Sequence, residues 1–226
     1  MPIARVNGKI LHFVHAPKTG GSSVTSYLRS VGHVALHSRQ PVNWARVTPQ
    51  HMDIESAEAL LPDGFVDARF TILRDPLARM VSEFRYRYTR LLDAGHSAKP
   101  YQSGDPVTVE LDWGQTFCGT FETWVDKVFQ LYQHDNSTCD NHIRPQADFV
   151  SPDAKVFLFE DGLDKVFDWI DRFAGINRAH VELDRNASKR LPFEVSEAVQ
   201  QRIRQFYERD YALIADLREK QGQPVA

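Results

Sequence analysis

The short run Ile10-Leu11-His12-Phe13-Val14 leads through His15 into Ala16-Pro17-Lys18-Thr19-Gly20-Gly21-Ser22-Ser23, and a helical pattern follows through Leu28. Ile10 to Val14 has the length and β-branched content of a buried strand. The glycine pair marks a tight turn, and Val24, Tyr27, Leu28 and Val31 recur at helical steps until Gly32 stops the helix. A strand that feeds a glycine-rich turn and then a helix N-terminus is a restrictive pattern. Backbone N–H groups converge at the turn, and the helix dipole adds partial positive charge, so the expected ligand is a phosphate. The order is not that of a nucleotide-triphosphatase P-loop, where Gly-Lys-Ser/Thr opens the helix. Here Lys18 precedes the glycines and the hydroxyls follow them.

The same unit recurs. Arg69-Phe70-Thr71-Ile72-Leu73 reads as a second buried strand, and Arg74-Asp75-Pro76 opens an amphipathic helix carried by Leu77, Met80, Val81, Phe84, Tyr88, Leu91 and Leu92. Asp75 suits the cap and Pro76 the first helical turn. Two strand-turn-helix units predict parallel strands with crossover helices: an α/β chain with a central parallel sheet flanked by helices. Further expectations are a short strand over Val34–Leu36, helices over Ile54–Leu61, Phe117–Tyr132 and Leu163–Phe173, and a strand over Lys155–Phe159. A long helix is expected from Glu194 to Lys220. Ala94–Asp112, rich in Gly, Pro, Ser and charge, reads as a long surface loop within one domain over residues 1–226.

Composition closes off other classes. A net charge of -3 and a pI near 6.3 argue against a dedicated nucleic-acid binder. Cys118 and Cys139 make no disulfide framework and no metal-ligand spacing, so both are expected as buried free thiols. No apolar run approaches the roughly 20 residues that span a bilayer, and the N-terminus lacks the layout of a signal peptide. The expectation is a cytoplasmic enzyme or binding domain. Arg85, Arg87 and Arg90 are expected on a solvated helix face.

Pro17-Lys18-Thr19-Gly20-Gly21-Ser22-Ser23, followed by Arg74 and, eight residues on, Ser82, resembles the PAPS-dependent sulfotransferases, in particular the carbohydrate type that includes heparan sulfate 2-O-sulfotransferase and bacterial relatives. His142-Ile143-Arg144-Pro145-Gln146 and Phe206-Tyr207-Glu208-Arg209-Asp210-Tyr211 also look like this group. The resemblance implies a P-loop-kinase-like sulfotransferase fold, with PAPS (3′-phosphoadenosine-5′-phosphosulfate) as sulfuryl donor, PAP as product and no metal. It assigns the loop from Pro17 to Ser23 to the 5′-phosphosulfate, and Arg74 with Ser82 to the 3′-phosphate. Lys18 becomes the ammonium that faces the leaving oxygen. An acceptor hydroxyl, of a carbohydrate or glycolipid, needs a general base. The family places its histidine a little over twenty residues before the arginine, where this chain has His51; His15, His33 and His37 are rivals. His15, His142 and Arg144 are candidates for the acceptor side. Ser188 and Lys189, in the basic loop Asn186–Pro192, are candidates for the cofactor side. Two other readings stay open: a nucleotide-dependent phosphotransferase, and a catalytically silent nucleotide-binding scaffold. Oligomeric state is open as well.

Overall fold

A computed structural model describes residues 1–40, 42–43, 45–93, 104–111, 114–177 and 194–222. These fall into two compact units. The first comprises Met1–Arg74 and Pro145–Asn186; the second comprises Asp75–Arg144 and Ala187–Ala226.

The first unit is built on a five-stranded sheet. Its strands are β1 (Ile3–Val6), β2 (Lys9–Val14), β3 (His33–Ala35), β4 (Ala68–Leu73) and β5 (Lys155–Leu158), in the order β3-β1-β2-β4-β5. β2, β4 and β5 run parallel, as the strand-turn-helix repeats predict. The expected central parallel sheet is these three strands, and at one side the sheet becomes mixed, because β1 pairs antiparallel with both β2 and β3. The cause is local: Asn7 and Gly8 both adopt positive φ (46° and 80°), and this two-residue turn folds β1 back onto β2. Asn-Gly between apolar runs is a readable hairpin signal, and it is the one that the sequence reading passed over.

Successive residues of a strand face opposite sides of the sheet, which divides the packing. Leu11 and Phe13 of β2 share a core with Phe70 and Ile72 of β4. Two helices, α1 (Gly21–Val31) and α2 (Asp164–Ala174), cover that face through Val24, Leu28, Phe167 and Ile170. Inside this core the Tyr27 hydroxyl donates to the carboxylate of Asp171. On the opposite face Val14 packs with Ala16 and Phe149. Phe149 ends a short 3₁₀ turn, Gln146–Phe149, and Ile54 of the helix α3 (Ile54–Leu60) packs beside it. Strands clad on both faces are largely apolar, and residues 10–14 of β2 and 70–73 of β4 read as apolar runs interrupted only by the buried His12 and Thr71.

The second unit is mainly helical: α4 (Pro76–Asp93), α5 (Phe121–His134), α6 (Glu197–Phe206) and α7 (Glu208–Lys220). Asp75 caps α4 as expected, its Oδ1 accepting from the Ala78 N–H at 2.7 Å. Met80, Phe84, Phe121, Trp124, Val128, Val199 and Ile203 share the unit's core. Several expectations are corrected here. Val107–Glu110, placed in a surface loop, forms a strand (β6) that pairs antiparallel with Thr116–Gly119 (β7), the segment expected to open a helix. The long C-terminal helix breaks at Tyr207, whose fully buried ring carries a hydroxyl that donates to the Ile143 carbonyl at 2.8 Å. Arg87 is buried: it pairs with Glu83 and donates to the Leu111 and Cys139 carbonyls, and of the three arginines Arg85 is half-buried and Arg90 alone is exposed. Cys139 is buried, but Cys118 is exposed. Among the described residues, no helix is long and apolar enough to cross a membrane.

Candidate active site

Parallel pairing decides what meets at the carboxyl edge of the first unit's sheet. Val14 stands opposite Thr71, and Leu73 opposite Leu158. The loop after β2, Arg74 after β4 and Phe159 after β5 therefore emerge at one edge, the usual place for ligands in open α/β sheets. The Arg74 guanidinium lies over the Phe159 ring, 4.6 Å from its centroid. Its Nη1 donates to the Lys18 carbonyl at 3.1 Å. Lys18 and Arg74 are fifty-six residues apart in sequence and directly bonded in the fold.

The loop is held in an unusual backbone path. Lys18, a non-glycine residue, has φ 69°, and Gly20, the residue before α1, has φ 89°. Left-handed backbone at a lysine is costly and persists where its surroundings enforce it. Thr19 supplies part of that enforcement: it is fully buried, and its hydroxyl donates to the Ala16 carbonyl at 2.7 Å. Its proton is thus engaged within the loop. Among the described residues, no side chain caps the N-terminus of α1. Pro17 is buried, Lys18 and Ser23 are half-buried, and the exposed Ser22 accepts from Arg39 Nη2 at 3.0 Å.

A close approach forces glycine at position 21. A Cβ there would collide with the imidazole of His15, which lies directly beneath. The His15 ring stacks on Phe13 with centroids 5.1 Å apart, and meets His51 edge-on at 5.0 Å. His51 closes the 3₁₀ turn Pro49–His51, is buried, and has its Nδ1 3.5 Å from the Thr48 hydroxyl. The fold thus gathers the lysine loop, two histidines and Arg74 into one neighbourhood of the first unit.

Other predicted residues belong to the second unit. Ser82 is half-buried on α4. His142 is buried, its Nδ1 2.6 Å from a carboxylate oxygen of the fully buried Glu83, and it stacks on Tyr86. Arg144 is half-buried and donates through Nε to Asn141 Oδ1 at 3.0 Å. Just before His142, Cys139, Asp140 and Asn141 all have positive φ (58°, 57° and 62°). Three consecutive non-glycine residues in that region need external support. Arg87 bonds the first of them at its carbonyl, and Tyr207 bonds Ile143 at its carbonyl. Of the rival histidines, His33 is exposed and His37 half-buried. Ser188 and Lys189 lie outside the described residues. Gln146, the last residue of the His142–Gln146 motif, is fully buried against the backbone of Arg74.

This arrangement suits an anionic, phosphate-bearing ligand: a bent backbone that ends at an uncapped helix N-terminus, a lysine on that bend, and an arginine bonded to it. No curated protein and no solved structure shows a significant match to the chain. The family model described as "Sulfotransferase family" matches residues 6–214, which takes in both strand-turn-helix units and the late Tyr207 segment. With nearly its whole length matched, the chain belongs to the sulfotransferase family.

Proposed function

We propose that this sulfotransferase moves the sulfuryl group of PAPS to a hydroxyl of a carbohydrate acceptor by in-line displacement, with His51 as base. The observation that carries the reading is the junction of the Lys18 turn and Arg74 at one sheet edge, with Gly21 of the same loop against His15, which in turn meets His51. When bound, PAPS supplies a sulfuryl group in a phosphosulfate anhydride, whose leaving group is the 5′-phosphate of PAP. The backbone from Lys18 to Ser23 receives the 5′-phosphate. Arg74 binds the 3′-phosphate, and Ser82 joins it on the strength of their spacing in sequence. Arginine's planar fork suits a phosphate monoester.

Sulfuryl transfer asks for alignment and for charge stabilisation. His51 accepts the acceptor's hydroxyl proton as that oxygen bonds to sulfur. Lys18 meets the charge that builds on the phosphate oxygen as its bond to sulfur breaks, and the N–H groups after Gly20 share it. His142 and Arg144 are proposed for the acceptor side; the Glu83 carboxylate at His142 Nδ1 supports a fixed ring orientation.

Thermal-shift titration tests the reading. At about 100 times Kd, 3′,5′-adenosine bisphosphate stabilises by about 2.7 kcal/mol, a rise of roughly 5–10 °C for a chain of this size, whereas ATP and NAD give less. Absence of any rise with the bisphosphate overturns the proposal. A rise with ATP alone marks a phosphotransferase, and bisphosphate binding without turnover on any hydroxyl acceptor marks a silent scaffold.

A further inference from the structure

We propose that Gln146 is the positioning residue that sets Arg74 for the nucleotide's 3′-phosphate; this rests on the reading of the nucleotide as PAPS. The Gln146 carboxamide bonds both backbone groups of Arg74. Its Oε1 accepts from the Arg74 N–H at 2.9 Å, and its Nε2 donates to the Arg74 carbonyl at 2.8 Å. The side chain thus does for Arg74 what a neighbouring strand does for a residue inside a sheet. It acts where the ladder has run out, since β4 ends at Leu73.

Three features make this more than a local hydrogen bond. Gln146 is fully buried, so its two bonds form without competition from solvent. The turn that carries it is anchored: Pro145 precedes with φ -53°, and Phe149 packs under the loop against Val14 and Ala16. The clamped residue is also a crossing point, since the chain leaves the first unit after Arg74 and returns to it at Pro145. With its backbone held at both polar groups, Arg74 aims its guanidinium at the Phe159 ring and the Lys18 carbonyl. A backbone rotation at this position would swing the guanidinium out of that seat. Only the glutamine pattern of one acceptor and one donor serves both bonds: an ionised carboxylate keeps the first and loses the second.

The experiment is calorimetric titration of the full chain with 3′,5′-adenosine bisphosphate and with 5′-AMP, which lacks the 3′-phosphate. At pH 8, Gln146→Glu weakens bisphosphate binding by about tenfold, the worth of one lost bond. AMP binding changes by less than about twofold. On acidification toward pH 5 the carboxyl regains its proton and its donor, so the variant's preference for the bisphosphate recovers relative to wild type measured at the same pH. Gln146→Leu, which cannot donate at any pH, shows the selective loss without recovery. In an Arg74→Ala background, Gln146→Glu leaves the remaining preference unchanged. Equal losses for both ligands, or a lowered Tm with the preference intact, overturn the positioning role. A wild-type chain that binds the two ligands alike overturns the cofactor reading and this proposal with it, whereas a wild-type preference that survives in Gln146→Glu overturns this proposal alone.

Discussion

Lys18 shows how one residue is asked for two things at once. Its backbone takes a left-handed turn and presents a carbonyl to Arg74, while its ammonium is the group proposed to meet the leaving phosphate oxygen. The backbone role survives truncation of the side chain, and the chemical role does not. Lys18→Ala therefore lowers kcat by about 10²–10³ while the dissociation constant of the bisphosphate changes little, as calorimetry beside steady-state turnover will show. Gly21 carries a steric demand of a different kind. Gly21→Ala drives a methyl into the His15 ring and costs about 1–3 kcal/mol in urea denaturation. Replacing His15 with alanine in the same chain recovers most of that cost, since the two groups compete for one space. A purely additive pair would show that the ring does not sit beneath the turn.

Among the elements, β2 carries an unusual passenger. His12 lies fully buried at the middle of the strand, and among the described residues neither ring nitrogen has a hydrogen-bond partner. Burial lowers its pKa to about 3, and the nearby N-terminal ammonium and Arg69 push in the same direction. The imidazole is therefore neutral in the fold but takes up a proton near its ordinary value of 6.5 once the strand is released. Below that value the unfolded chain binds more protons than the folded one, so stability declines as pH falls from 6.5 toward 3, by at most about 1.4 kcal/mol per pH unit. Unfolding free energies from urea denaturation at pH 6.5 and pH 5 should thus differ by about 1.7 kcal/mol more in wild type than in His12→Leu. An equal decline in both chains would place the acid sensitivity elsewhere. The helix α4 shows the complementary lesson. Its exposed-looking arginine repeat conceals Arg87, which with Glu83 braces the strained turn before His142. Helical periodicity marks such a residue as polar but not as solvated, because a buried ion pair has the same composition as a surface one.

Across the whole molecule, the strand-turn-helix units were legible because short-range rules write them: β-branched runs, a glycine pair, Asp75 and Pro76 at a helix start, and apolar steps of three and four. The phosphate-type loop, Arg74 and His51 could be singled out on the same footing, with the family resemblance choosing among the histidines. What stayed hidden depends on partners far apart in the chain. The C-terminal helix breaks at Tyr207 because that ring enters a core and reaches Ile143, sixty-four residues away. Gln146 reaches Arg74 across seventy-two residues. The lysine turn meets Arg74 because β2 and β4 pair in parallel with Val14 opposite Thr71. Local sequence sets φ, ψ and hydrophobic period within a few residues, and that was enough to specify the two strand-turn-helix units and a candidate anion-binding turn, while the class of chemistry came from the family resemblance. Register, crossover and burial are set by the energy of the assembled sheet and its two clad faces. Those alone determined which carbonyl Arg74 meets, which imidazole lies under Gly21, and which amide holds the arginine in place.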